Sequence, residues 1–193
     1  MRSLNVLIIL LLVISCGQNS ESEHSNHEPE TLSNYAEKIN DGIIPKDTLK
    51  GSPKRVAESK NMSITYHSPG VRGRMIWSGL VAYDEVWVTG AHRATTLELK
   101  RDVSIQGKKV NAGKYGLFTI PSKEEWVVII NQRWDQHLAD EYSETEDILR
   151  FIIKAESSEK TPRLTYELTS SMGYTTLSMK WDELKISFDI KQL

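Results

Sequence analysis

Residues 174–190 read YTTLSMKWDELKISFDI, and their period decides the fold. Leu177, Met179 and Trp181 alternate with Thr176, Ser178 and Lys180. Leu184, Ile186, Phe188 and Ile190 then alternate with Lys185, Ser187 and Asp189. A period of two sends one set of side chains to a core and the other to water, as in a half-buried β-strand. The apolar phase moves from odd to even positions after Trp181, so the stretch reads as two successive segments.

Working outward, the same alternation recurs. Leu164, Tyr166 and Leu168 share a face, as do Leu149, Phe151 and Ile153. Trp126 to Ile130 is continuously apolar, which predicts a central strand buried on both faces. Tyr115 to Ile120 forms a strand stopped by Pro121, which cannot donate to a ladder. Val103 and Ile105 lead into a reversal at Gln106-Gly107, with glycine where positive φ is needed. Leu97 with Leu99, and Ile64 with Tyr66, complete the set. About eight or nine short strands with no helical repeat between them predict an all-β domain. The expected architecture is an antiparallel β-sandwich of Ig-like or jelly-roll type, the closure into a barrel being left open. The basic pairs Lys54-Arg55 and Lys108-Lys109 read as solvated turns, and Tyr142 to Asp147 as an acidic exposed turn.

The N-terminus reads as an address. Leu4 to Ile14 is apolar except for Asn5, too short to span a bilayer but suited to a signal-peptide core. It ends in Val13-Ile14-Ser15-Cys16-Gly17, which resembles a bacterial lipobox, and Cys16 is the single cysteine of the 193 residues. One cysteine excludes an internal disulfide and any multi-cysteine metal cluster. The expectation is a lipidated Cys16 that anchors the chain to the membrane without a spanning helix. Residues 18–30 are mostly Ser, Asn, Glu and His, a composition that cannot bury enough surface to fold. Leu32, Tyr35, Ala36 and Ile39 have the spacing of a short helix. The expected organisation is therefore a lipoprotein signal peptide over 1–15, a lipidated tether over 16–58, and the sandwich over 59–193. The envelope location this implies is an outer membrane, with the face left open.

Charge excludes one class of partner. The chain carries 24 basic and 26 acidic residues, and loss of Arg2 with the leader leaves 23 against 26. Nucleic acid requires a clustered basic face, so none is expected as a partner.

Function should reside in the irregular stretch Ile76–Thr96, IWSGLVAYDEVWVTGAHRATT, set among regular strands. Trp77, Tyr83, Asp84, Glu85, Trp87, His92 and Arg93 are the candidate ligand-binding residues. Asp84, Glu85 and His92 offer cation ligands or acid–base groups, whereas Arg72, Arg74 and Arg93 offer to hold an anion. Trp77, Tyr83, Trp87 and Trp134 offer a stacking platform for sugars. Against these stands a structural account, in which the glycines make turns, Trp77 and Trp87 plug one end of the sandwich, and the charges face water. No G-x-S-x-G elbow, H-E-x-x-H, Walker loop or G-x-G-x-x-G occurs. His67 and Ser68 are neighbours that a strand would point to opposite faces. The expected function is a non-catalytic module binding a glycan or an envelope protein, without cofactor or metal. The alternative is an envelope hydrolase acting on glycan or ester through residues 76–96.

Ser68-Pro69-Gly70-Val71-Arg72-Gly73-Arg74, Gly79-Leu80-Val81, Glu85-Val86-Trp87, Thr89-Gly90-Ala91 and Ala94-Thr95-Thr96 occur in order. Ala112 to Pro121 and Glu125-Trp126 follow. Together these blocks resemble the DUF2911 family over roughly residues 60 to 193. The resemblance implies an exported, β-rich domain and supplies no activity. Val88, His92 and Arg93 depart from it, standing where an arginine, an asparagine and an acidic residue are expected. If those positions serve a shared ligand, this chain has altered it.

Overall fold

The computed structural model describes residues 49–193, so the leader, Cys16, the tether up to residue 48 and the short helix lie outside the described residues. Ten strands follow in chain order: β1 Lys54–Glu58, β2 Met62–His67, β3 Thr95–Leu99, β4 Val103–Ile105, β5 Lys108–Val110, β6 Gly113–Ile120, β7 Glu125–Asn131, β8 Asp147–Lys154, β9 Glu156–Ser171 and β10 Tyr174–Gln192. They form two antiparallel sheets, a six-stranded one ordered β1-β2-β3-β6-β7-β8 and a four-stranded one ordered β5-β4-β10-β9. The two pack as a sandwich, as the alternation predicts.

The core lies between the sheets because the inward phases supply it: Ile64 and Tyr66 from β2, Leu97 and Leu99 from β3, and Leu177, Met179, Trp181, Ile186 and Ile190 from β10. Gln106 and Gly107 both take positive φ, 51° and 77°, so β4 and β5 are joined by the two-residue turn that matches strand twist.

Three expectations need correction. Residues 174–190 form one strand. Its change of phase falls at Asp182, where φ is 55° and the pairing with β9 shifts register on both sides. Across this irregularity Trp181 before it and Ile186, Phe188 and Ile190 after it all reach the core. Lys54-Arg55 and Lys108-Lys109 are not turns but lie within β1 and β5. β1 therefore falls inside the stretch expected to be tether; all its residues except Ala57 are exposed, so no apolar period marked it. The acidic turn is more ordered than its composition suggests. The Asp147 carboxylate accepts from Asn131 Nδ2 at 2.8 Å, Tyr142 Oη at 2.7 Å and Arg150 Nε at 2.6 Å.

Candidate functional site

The seven residues expected to bind a ligand do not share one site. Trp77 and Trp87 turn inward and join Trp126 and Trp181 in a four-indole cluster, with Trp77 4.9 Å from Trp126 and Trp87 stacked 5.9 Å from Trp181. The Trp87 indole N–H donates to the Gly90 carbonyl at 3.0 Å. These rings plug the sandwich and offer no open stacking row. Tyr83 and Asp84 line an open depression of about 420 Å³ with Ser122, Lys123, Glu124 and Glu125. Glu85 is exposed beside them in the chain. His92 and Arg93 belong to a different place, the outer face of the six-stranded sheet.

That outer face has two halves. Over β6 and β7, Phe118 and Ile129 point outward and are covered by Val86, Val88, Ala94, Ala139 and Tyr142 from the long loops. This second small core explains the unbroken apolar run of β7, which is covered on both sides. Over β1, β2 and β3 the face is open and polar. Antiparallel register puts Lys54 opposite His67, Thr65 opposite both Val56 and Thr96, and Glu98 opposite both Ser63 and Lys114. Directly opposed residues share a sheet face, so these side chains form adjacent rows. Gly116 ends the Thr65–Thr96 row, and a Cβ there would lie 2.6 Å from Phe118 and 3.0 Å from the Arg133 carbonyl. Its bare backbone lets the loop after β7 lie against the sheet and raise a wall.

Between that wall and the rows is a pocket of about 180 Å³. Lys54, Thr65, His67, Arg93, Ala94, Thr96, Glu98, Lys114, Trp134 and Asp135 line it. Arg93 pairs with Asp135, and Lys114 lies 3.8 Å from Glu98 and 5.3 Å from the Trp134 ring centre. Trp134 is 40% exposed. The His67 and His92 rings meet edge to face with centres 5.4 Å apart. Partial burial, followed by the neighbouring His92, Lys54 and Arg93, pushes the His67 imidazole below its ordinary pKa.

The loop carrying His92 and Arg93 is held rigidly. Thr89 is buried with φ at 51°, a conformation a β-branched residue adopts only when its surroundings enforce it. Its hydroxyl is 3.0 Å from that of Thr119, and its carbonyl accepts from Thr95 Oγ1 at 3.0 Å and Tyr166 Oη at 2.9 Å. Further along, Ala94 N–H donates to the Gln136 carbonyl at 3.0 Å, and Leu138 N–H to the His92 carbonyl at 2.8 Å. The two loops bordering the pocket therefore brace each other.

Sequence reasoning weighed Trp134 as a stacking ring and missed Lys54, Thr65, Thr96, Glu98 and Lys114. Each occupies the outward phase of its strand, but only register shows that they converge. Of the three departures from the family pattern, Val88 is buried in the second core, whereas Arg93 lines the pocket and His92 touches its wall through His67.

The fold and site define an antiparallel sandwich with a polar pocket on one outer sheet face. A model of the DUF2911 family, described as a protein of unknown function, matches residues 45–190, so the chain belongs to that family. No curated protein and no solved structure matches it.

Proposed function

We propose that this chain is a lipid-anchored protein of the cell envelope, a module that binds a glycan-like polar ligand in the 180 Å³ pocket without transforming it. The observation that carries the reading is the division of the outer sheet face: one half sealed by apolar loops, the other left open, polar and walled. Exposed Trp134 beside hydroxyl and charged groups supplies an apolar face next to hydrogen-bonding groups, the pairing a sugar ring requires. The apolar leader ending at Cys16 supports the anchor and the outer-membrane address. The hydrolase alternative draws less support. Asp84 lines the depression beside Ser122, whereas His92 meets His67 edge to face, so these acid–base groups do not face one cleft.

The test is a thermal-shift screen of the chain against neutral and acidic envelope saccharides, with Trp134→Ala as comparison. A ligand of the folded state raises Tm by mass action. A shift lost in Trp134→Ala, with the unliganded Tm retained, supports the reading; a shift unaffected by that change and by Thr96→Val contradicts it.

A further inference from the structure

We propose that the group this pocket selects is an anion, a carboxylate or phosphate, seated between Lys54 and His67. The inference rests on the pocket being the ligand site. It follows from how the charges there are paired. The two acids of the lining are committed, Asp135 to Arg93 and Glu98 to Lys114 at 3.8 Å. Lys54 has no ion pair among the described residues and stands directly across the strand pair from His67. The His92 ring meets His67 edge to face, 5.4 Å away. Among the described residues Lys54 and His67 thus line the pocket with no acid paired to either. An anion there pairs with Lys54 and accepts charge-assisted hydrogen bonds from it and from a protonated His67.

The volume limits the size. At about 30 Å³ per water, 180 Å³ holds about six waters, enough for one sugar ring or one small anion. Trp134 and the Thr65–Thr96 hydroxyl row line the same pocket as Lys54 and His67, so a sugar acid would set its ring on the aromatic and its charge on the bases.

The binding is coupled to protons. The charged groups around His67 are Lys54 from β1, His92 and Arg93 from the loop before β3, and, across the pocket, Glu98 from β3, Lys114 from β6 and Asp135. Burial, then His92, Lys54 and Arg93, lowers the ring's affinity for a proton. A bound anion favours the imidazolium, so binding takes up a proton and strengthens as pH falls.

Calorimetric titration of the full chain in detergent tests this with three probes: glucuronate, glucose and inorganic phosphate. The expected result is glucuronate at least about tenfold tighter than glucose at about pH 5.5, with that preference shrinking severalfold by about pH 8. Lys54→Met and His67→Gln each remove the preference, and Tm values unchanged at about pH 8 confirm folding. Phosphate binding in place of glucuronate also supports the anion site and identifies phosphate as the source. Equal affinity for glucose and glucuronate overturns the anion inference while leaving the polar pocket intact. Failure of all three probes at about 10 mM overturns the anion inference; if the saccharide screen is also silent, the pocket reading falls with it.

Discussion

Replacing Gly90 with alanine puts a methyl group 2.9 Å from Thr95 Oγ1 and 3.2 Å from the His67 carbonyl. Real Cβ atoms do not sit that close, so the Thr95 hydroxyl must move. That hydroxyl donates to the Thr89 carbonyl at 3.0 Å, one of the bonds holding Thr89 in its strained conformation. Losing the bond costs about 1 kcal/mol. Crowding in a packed region adds about 1–3 kcal/mol. The total of about 2–4 kcal/mol should lower Tm by about 6–12 °C for a domain of this size. A double-mutant cycle isolates the cause. In a Thr95→Ala background the obstructing atom is gone, so Gly90→Ala should cost less than about 1 kcal/mol more. Denaturant unfolding of the four proteins measures both quantities. A Gly90→Ala protein within about 2 °C of the parent, or costs that simply add in the double variant, would refute the reasoning.

Burial, followed by Glu183, raises the Asp182 carboxyl above its usual range against the opposing pull of Lys160, and Asp182 Oδ1 has no hydrogen-bond partner. A raised carboxyl pKa means stability falls as pH rises from the unfolded pKa through the folded one. Asp182→Asn, which tolerates the positive φ, should therefore raise Tm at neutral pH and flatten that slope in a pH series. His67 has the opposite sense: its folded pKa lies below the unfolded value near 6.5, so stability is lost as pH falls from there toward the folded pKa. His67→Gln should remove that loss, read as a smaller drop in Tm below about pH 6.5. Tyr142 is pushed up to about 12, chiefly by burial and then by the Asp147 hydrogen bond. Its stabilisation should fade as pH rises above about 10, and a tyrosinate absorbance titration should lose a step at about pH 12 in Tyr142→Phe.

Much of the fold was legible because period-two alternation is a local signal. Leu97, Tyr115, Leu164 and Ile186 each announce an inward face without reference to any partner. The irregularity at Asp182 was visible as a change of phase, but that a single strand runs through it depended on pairing with β9. β1 escaped because an edge strand with one half-buried residue carries no apolar period. The site was less legible. Asp84 and His92 are close in sequence, yet the loop between them dips through the second core at Val88 and emerges elsewhere. The pocket instead gathers Lys54, His67, Thr96 and Lys114 from four strands, and only register unites them. Tryptophans mislead in the same way: Trp77 and Trp87 sit in a loop by sequence and in the core by packing.

The central claim is that the open half of the sheet face is where a ligand binds. Hydrogen exchange of the full chain, with and without saccharides extracted from the envelope, tests it without presuming the ligand. The account predicts added protection confined to β2, β3 and the two bracing loops around residues 91–94 and 133–136. Protection centred on residues 83–84 and 122–125, with the sheet face unchanged, would contradict it.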